Sequence, residues 1–238
     1  MPNQKTAIVT GAAGGIGSGL VQGFLNAGYR VVATSLHTSR SLTASPTLLL
    51  VDGDIGTLDT AARVADAALQ HFGSIDVLVN TAGIYRKNAF PDYTPADINA
   101  LISTNLLGFL YITQLAVRQM IQQQSGNVVT ITAGLADHPV AGVNASISMM
   151  TKGALNTITR NLATEYAAQG IRFNAVAPGV VATPLHQGDA AAAAQAERQP
   201  MKTITQVSDI VDAVLYLAHA HQVSGEILYV DGGSHAGR

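Results

Sequence analysis

The sequence predicts a single α/β domain, residues 1–238, built on a doubly wound parallel sheet of about seven strands flanked by helices. Short apolar runs alternate along the chain with longer stretches of helical periodicity. Strands buried on both faces, each followed by a helix, are typical of a parallel sheet covered on both sides. A length of 238 residues with 47% hydrophobic and 12% charged residues suits one well-buried domain. The predicted strands are residues 7–9, 29–33, 48–51, 75–79, 127–132, 171–176 and 227–230, and the predicted helices are residues 16–27, 58–72, 95–123, 148–168 and 207–220.

The composition argues against several classes of function. A formal net charge of −2 gives no electrostatic reason to expect nucleic acid or a membrane surface as a partner. Cysteine is absent, which removes disulfides, thiolate metal sites and a cysteine nucleophile. The histidines, His219 and His221 among them, lie near no cluster of metal ligands in the sequence, so we expect no metal. The first residues lack the pattern of a secretory signal and we expect no membrane span, which favours a cytoplasmic protein.

A glycine-rich turn is the strongest local signal. Residues 10–17, with the sequence Thr-Gly-Ala-Ala-Gly-Gly-Ile-Gly, follow the first predicted strand and open the first predicted helix. Glycines permit a tight turn and a close approach of the backbone to a diphosphate, whose charge is attracted by N–H groups at a helix N-terminus. This order of strand, turn and helix is the context that a dinucleotide site requires. The candidate cofactor-binding residues of the turn are Thr10, Gly11, Ala13, Gly14, Gly15, Ile16 and Gly17.

The spacing of Thr10, Gly11, Gly15 and Gly17 resembles that of the short-chain dehydrogenase/reductase family, and further matches follow in the family's order through nearly the whole chain. The resemblance implies a Rossmann-like fold and an NAD(P)(H)-dependent oxidoreductase that acts on a small carbonyl or alcohol. It also implies a homodimer or homotetramer assembled through residues 95–123, 148–168 and 226–238. The cofactor-binding residues that it implies are Asp54 and Ile55 at the adenine, Asn80, Ala82 and Gly83 after the fourth strand, the active-site Lys152, and Pro178, Gly179, Val181 and Thr183 at the nicotinamide carboxamide.

The catalytic part of the family pattern is incomplete in this sequence. The resemblance implies Asn105 and Lys152 as catalytic residues, beside a tyrosine four positions before the lysine, where this chain has Ser148. Residues four apart on a helix share a face, so we expect Ser148 and Lys152 to point together as candidate catalytic residues. Serine is shorter than tyrosine and lacks the ring that makes a phenol acidic, so it cannot simply replace it. The family's serine matches Ala133 or Leu135, and neither has a hydroxyl.

Three functions stay open at this point. In the first, which we favour, the protein is an oxidoreductase in which another group or a held water relays the proton, with Tyr85, His138 and His186 as candidates. In the second, the fold binds a nucleotide without turnover, as a sensor or an assembly partner. In the third, it catalyses a non-redox reaction such as isomerisation or dehydration. The first is favoured because the residues expected on the nicotinamide side are retained as a set, and hydride transfer depends on orientation.

The end of the second predicted strand bears on the choice of cofactor. NAD-preferring members of the family usually place an acid near Ser35, and no acid is present there. Ser35, His37 or Arg40 could contact a 2′-phosphate. The sequence therefore favours NADP(H) over NAD(H).

One segment interrupts the alternation of strands and helices. Residues 183–203, with an alanine-rich stretch at 190–194, separate the sixth strand from the last predicted helix. We interpret this insertion either as a surface helix or as a lid over the substrate, since long insertions in compact domains are often functional. Tyr85, Leu135, Val143 and Leu185 in the least patterned segments indicate a fairly apolar pocket.

Overall fold

The computed structural model describes residues 4–183, 196–197 and 199–237, and within them seven strands form one sheet. All neighbouring strands are parallel, and their order is 3-2-1-4-5-6-7. This architecture confirms the predicted single doubly wound domain. The strands are β1 (Thr6–Thr10), β2 (Arg30–Ser35), β3 (Leu48–Asp52), β4 (Val77–Asn80), β5 (Gly126–Ile131), β6 (Ile171–Pro178) and β7 (Ile227–Val230).

Helices cover both faces of the sheet. One hydrophobic cluster joins the sheet to α1 and α6, and a second cluster joins its other face to α2, α4 and α5. The two clusters explain why the strands read as continuous apolar runs: Ile8 packs on one face of β1, while its neighbours Ala7 and Val9 pack on the other. The helices are α1 (Gly15–Asn26), α2 (Leu58–Phe72), α3 (Pro95–Leu101), α4 (Gly108–Gln123), α5 (Ser146–Glu165) and α6 (Val207–His219).

The fourth strand begins two residues later than the sequence predicts. Ile75 is fully buried, as its apolar context indicates, but its backbone does not pair with a neighbouring strand. The side-chain amide of Gln123 accepts a hydrogen bond from the Ile75 N–H at 3.0 Å and donates one to its carbonyl at 2.9 Å. A side chain at the end of α4 therefore occupies the backbone groups that a strand would have used.

The long helix predicted over residues 95–123 contains a π-helical segment. α3 continues into this segment, Ile102–Leu107, which continues into α4. π-turns are rare and are found frequently at functional sites, and this one contains Asn105. The apolar pattern continues across the segment, so the π-helical turn could not be predicted from it.

The stretch Pro95–Gln123 is, by length and composition alone, apolar enough to cross a membrane. Its apolar side chains pack inside the domain. Ile112 and Met120 lie in the cluster between the sheet and α2, and Leu101 packs against Ile147 of α5. Packing as a core helix accounts for its composition.

Candidate active site

The predicted cofactor-binding residues gather at the carboxyl edge of the sheet. All but Lys152, which lies on α5, stand at or just after the carboxyl end of a strand. The strand order changes direction between β1 and β4. In open α/β sheets ligands bind in the crevice at such a switch point. The fold thus brings residues from most of the chain to one place.

The glycine-rich turn is packed tightly against the loop after β4. Gly11 has a φ of +63°, and a Cβ on it would lie 2.8 Å from the Cα of Ala82. A Cβ on Gly17 would lie 2.1 Å from the carbonyl oxygen of Gly11. The Thr10 hydroxyl accepts hydrogen bonds from the N–H groups of Thr81 and Ala82, at 3.1 and 3.0 Å. Side chains are thereby kept out of the turn, and its position relative to β4 is fixed.

The N-terminus of α1 opens directly from this turn. Gly14 is its N-cap residue, and no side-chain hydrogen bond caps the helix. The first N–H groups of a helix have no intrahelical partner and lie at the positive end of its dipole. An uncapped end of a twelve-residue helix beside a glycine turn is suited to an anionic group such as a diphosphate.

The ends of β2 and β3 lie side by side. The Ser35 carbonyl accepts a hydrogen bond from the Gly53 N–H at 3.0 Å, and the exposed Asp54 carboxylate accepts one from the Gly56 N–H at 2.9 Å. Ile55 is buried. The Asp52 carboxylate accepts hydrogen bonds from both the hydroxyl and the N–H of Thr38, which lower the pKa of Asp52. The nearest acid to the end of β2 is therefore already engaged.

Asn80, the last residue of β4, is buried in the crevice. Its amide nitrogen donates to the Thr113 hydroxyl at 3.0 Å. Its amide oxygen is buried and has no hydrogen-bond partner among the described residues. A buried acceptor without a hydrogen-bond partner destabilises a folded protein. A donor on a bound group or a water molecule would satisfy this oxygen.

The Asn105 side chain holds the loop after β4 in place. Its amide oxygen accepts from the Ile84 N–H at 2.8 Å, and its amide nitrogen donates to the Ile84 carbonyl at 3.1 Å and to the Thr151 hydroxyl at 2.9 Å. The residue is 1% exposed. Asn105 therefore joins the π-helical segment, the loop and α5, and its polar atoms are committed to the protein.

Ser148 forms a second anchor for the same loop. Its hydroxyl accepts a hydrogen bond from the Arg86 N–H and donates one to the Arg86 carbonyl, both at 2.9 Å. The Tyr93 hydroxyl donates to the same carbonyl at 2.9 Å. Ser148 is 1% exposed. The hydroxyl is thus bonded to the loop backbone, and Lys152 is not its partner.

Lys152 has the titratable group at the centre of the site. Its ammonium donates to the carbonyl of Ile131, at the end of β5, at 2.7 Å. A methyl group on Gly83 would lie 3.2 Å from Lys152 Nζ and 3.4 Å from the amide oxygen of Asn105. Burial disfavours the charged form and lowers the pKa of Lys152 to about 8.

The segment after β6 completes the edge of the site. The Gly179 N–H donates to the Val230 carbonyl at 3.0 Å, and a Cβ on Gly179 would lie 2.9 Å from the Cα of Asp231. Val181 is buried and pairs with Thr205 in an isolated bridge. Most of the predicted insertion, namely residues 184–195 and 198, lies outside the described residues, as does the candidate His186.

Comparisons with known proteins agree with this geometry. A family model described as enoyl-(acyl carrier protein) reductase matches residues 11–235. Cis-4-hydroxycyclohexanecarboxylate dehydrogenase of Sinomonas cyclohexanicum is 35% identical, over 97% of this chain and 96% of that protein. 2-Dehydro-3-deoxy-D-gluconate 5-dehydrogenase of Bacillus subtilis is 32% identical, over 96% of this chain and 94% of that protein. The chain belongs to the short-chain dehydrogenase/reductase family.

A solved structure of a named dehydrogenase has the same fold over nearly all of the chain. The crystal structure of a gluconate 5-dehydrogenase from Burkholderia cenocepacia, in complex with NADP and tartrate, is 27% identical and superposes with a TM-score of 0.89. The match covers 98% of this chain and 96% of that one. The protein is accordingly an oxidoreductase of the short-chain dehydrogenase/reductase type.

The structure places two of the three proposed substitutes for the family's tyrosine. Tyr85 lies between the anchored residues Ile84 and Arg86, is 43% exposed, and has its pKa raised by partial burial. His138 is exposed in the loop after β5, with its ring 5.3 Å from that of Tyr229. Their roles stay predictions.

One pair of residues near the site was not predicted from the sequence. Asp231 is 4% exposed, and its carboxylate lies 2.9 Å from Nδ1 of His235. A methyl group on Gly134 would lie 3.2 Å from the same carboxylate, beside Ala133. The spacing of four residues between an acid and a histidine just after the last strand was the signal that could have revealed the pair.

Proposed function

We propose that this protein interconverts a small carbonyl compound and the corresponding alcohol with a nicotinamide dinucleotide. The observation that carries the proposal is the uncapped N-terminus of α1, fixed by Thr10 onto the loop after β4 at the switch point of the sheet. The same loop contacts Lys152 through Gly83 and Asn105 through Ile84. Relatives named for the dehydrogenation of a hydroxylated ring acid and of a sugar acid support this substrate class.

The residues of the site fit a nicotinamide dinucleotide. The bare turn at Gly11 and Gly17 leaves room for a diphosphate at the end of α1, and the unpartnered amide oxygen of Asn80 offers an acceptor in the crevice. When bound, the cofactor supplies or accepts a hydride, while the protein orients it and moves the proton. The residues that would hold it are Thr10, Gly11, Ala13, Gly14, Gly15, Ile16, Gly17, Ser35, Asp54, Ile55, Asn80, Ala82, Gly83, Lys152, Pro178, Gly179, Val181 and Thr183.

The proposed site works without the tyrosine and the serine of the family. Ser148 stands four residues before Lys152, and its hydroxyl is held by both backbone groups of Arg86. Ala133, which follows β5, has no hydroxyl. These contacts support a role for Ser148 in fixing the loop that carries Tyr85.

The proposed cofactor preference is for NADP(H). Ser35 ends β2, and His37 and Arg40 follow it on the way to β3. The Asp52 carboxylate accepts two hydrogen bonds from Thr38, so it is less able to bind the ribose hydroxyls that NAD presents. The basic side chains of His37 and Arg40, beside an Asp52 carboxylate that is already hydrogen-bonded, favour binding of a 2′-phosphate over a free 2′-hydroxyl.

A second copy of the chain is the proposed partner, in a homodimer or homotetramer in the cytoplasm. An apolar groove runs between α4 and α5 on the outer face of the domain. Long apolar grooves between helices are typical of protein interfaces. The groove is lined in part by Phe109, Leu110, Val117, Ile158, Leu162 and Tyr166.

A titration with reduced cofactor tests the function directly. We expect NADPH to bind with increased fluorescence and with a lower Kd than NADH, and we expect one member of a panel of small keto acids and ketones to be reduced. Binding without turnover over the whole panel would favour a nucleotide sensor. A failure to bind either cofactor would refute the interpretation of the glycine-rich turn.

A further inference from the structure

We propose that Lys152 itself transfers the proton to and from the substrate oxygen, the role that the family's tyrosine would have. The inference rests on the proposed function and names the group that completes its chemistry. The structure supports it in three ways: the position of the ammonium, the engagement of the nearby hydroxyls, and the lack of a charged partner among the described residues.

The Lys152 ammonium lies between the end of β5 and the loop after β4. Lys152 Nζ donates one hydrogen bond, to the Ile131 carbonyl at 2.7 Å, and this is its one partner within the described residues. It lies beside Gly83, the residue through which the loop after β4 approaches α5. Lys152 as a whole residue is of intermediate exposure. An ammonium has three N–H donors, so two remain besides the one bonded to Ile131.

Three hydroxyl groups on the elements next to Lys152, those of Ser148, Thr151 and Thr132, are bonded to backbone carbonyls. Ser148 donates to the Arg86 carbonyl, and Thr151 donates to the Ser148 carbonyl at 2.7 Å. Thr132, at the end of β5, donates to the carbonyl of Val176 at 3.3 Å. A hydroxyl that relays a proton must be free to donate to the substrate, and these three would first have to break a bond to the backbone.

No carboxylate is paired with Lys152 within residues 4–183, 196–197 and 199–237. Its pKa is lowered by burial alone, to about 8, where an amine can both donate and accept a proton near neutral pH. The titratable groups on the neighbouring segments include Tyr85, Arg86, Lys87, Asp92 and Tyr93 after β4, Asp137 and His138 after β5, and Asp231 and His235 after β7.

The proton balance of the step is simple. In the direction of reduction, a bound nicotinamide cofactor would supply the hydride for the new C–H bond at the carbonyl carbon. The carbonyl π bond breaks, and the oxygen takes a proton from the Lys152 ammonium. The neutral amine then regains a proton from solvent. Oxidation of the alcohol runs through the same groups in reverse, so the amine is the base that accepts the hydroxyl proton.

Substitution by arginine separates proton transfer from cofactor binding. Arginine keeps the positive charge and the donors of Lys152 but does not release a proton at working pH. We expect Lys152→Arg to bind NADPH within about fivefold of wild type and to lose at least about 100-fold in the single-turnover rate of reduction. Lys87→Arg, the same change at an exposed lysine, is the matched control. A Lys152→Arg protein that reduces substrate within about tenfold of wild type would overturn the proposal.

Chemical rescue distinguishes a proton donor from a positioning cation. We expect methylammonium and ethylammonium to restore turnover to Lys152→Ala, whereas tetramethylammonium, which has the charge and no proton, restores none. Equal rescue by all three ions, or no rescue by any, would assign Lys152 to positioning alone.

A measurement on the wild-type protein, which needs no turnover, tests the proposal even if the variants do not fold. In ¹⁵N NMR of the wild-type protein bound to NADP⁺, we expect one lysine side chain to titrate near pH 8, well below the other lysines. If every lysine titrates above about pH 9.5, the proposal fails while the proposed function stands. If neither nicotinamide cofactor binds the wild-type protein, the proposed function fails and this inference falls with it.

Discussion

Replacing Gly17 by alanine tests whether the glycine-rich turn is shaped for a cofactor. The added Cβ would lie 2.1 Å from the Gly11 carbonyl oxygen and 3.0 Å from the Cα of Ala12. These are backbone atoms of the turn, so no side-chain rotation relieves the overlap. Either the turn must open or α1 must move away from it by about 1 Å or more, the shortfall from an ordinary carbon–oxygen contact.

The packing behind α1 limits that movement. Gly19 and Gly23 let α1 approach α6 so closely that a Cβ on either would lie 2.4 and 2.5 Å from Val207 and Val211. Overpacking at such a contact costs about 1–3 kcal/mol. In a domain of this size each kcal/mol lowers the Tm by about 2–4 °C, so we expect a decrease of about 2–12 °C. A shift of the N–H groups of α1 should also weaken NADPH binding at least about tenfold, or about 1.4 kcal/mol.

Differential scanning calorimetry and fluorescence titration measure the two effects on the same protein. Gly153→Ala is the matched control, because it adds a methyl group within a helix where nothing lies within 4 Å. It should raise stability by about 0.5–1 kcal/mol. A Gly17→Ala protein with the wild-type Tm and the wild-type Kd for NADPH would refute the assignment of this turn to the diphosphate.

Four further predictions concern the rest of the site. Ser148→Ala removes both hydrogen bonds to the backbone of Arg86, which are partly buried, and should lower the free energy of unfolding in urea by about 1 kcal/mol. Lys152 binds its proton less tightly when folded, so the unfolded state holds more protons between about pH 8 and 10.5, and stability should rise with pH across that window by about 1 kcal/mol per pH unit. Ser35→Asp should raise the Kd for NADPH at least about tenfold more than the Kd for NADH, measured by titration, because the new acid repels a 2′-phosphate. Leu162→Glu, in the groove between α4 and α5, should shift the protein to monomers in light scattering.

Three of these predictions have a control variant, and the fourth has a result that would contradict it. The rise in stability with pH should vanish in Lys152→Met, and a rise that persists there would assign it to other groups. Thr43→Asp places the same charge in the exposed loop between β2 and β3 and should leave the cofactor preference unchanged. Gln70→Glu, on the exposed side of α2, should leave the oligomer intact. An unfolding free energy of Ser148→Ala equal to that of wild type would contradict the observed bonds to Arg86.

The sheet and the cofactor cradle could be predicted because their causes are local. A strand buried on both faces is apolar at every position, as Ala7, Ile8 and Val9 are, and a tight turn before a helix needs glycine at fixed positions. The predicted bounds of α2 agree with the structure because Thr57 caps its start and Gly73, in a left-handed conformation, ends it. Each of these signals is contained in a few neighbouring residues of the sequence.

The catalytic part of the site depends on contacts that no local pattern encodes. Ser148 bonds to Arg86, 62 residues away in the chain, and Asn105 bonds to Thr151 and Ile84, 46 and 21 residues away. The sequence correctly placed Ser148 and Lys152 on one helix, but the choice of hydrogen-bond partner is decided by the loop that packs on that helix. The π-helical segment around Asn105 was hidden for a similar reason, because the apolar pattern continues across it.

The double anchoring of the loop after β4 gives a structural reason for the serine at position 148. Asn105 bonds both backbone groups of Ile84, and Ser148 bonds both backbone groups of Arg86, so Tyr85 is presented from a backbone fixed on either side. A tyrosine at position 148 would direct its hydroxyl several ångströms away from its own backbone and could not make these bonds. If Ser148 stands where the family has its tyrosine, as we propose, it fixes the loop instead of supplying a titratable group, and proton transfer is assigned to Lys152.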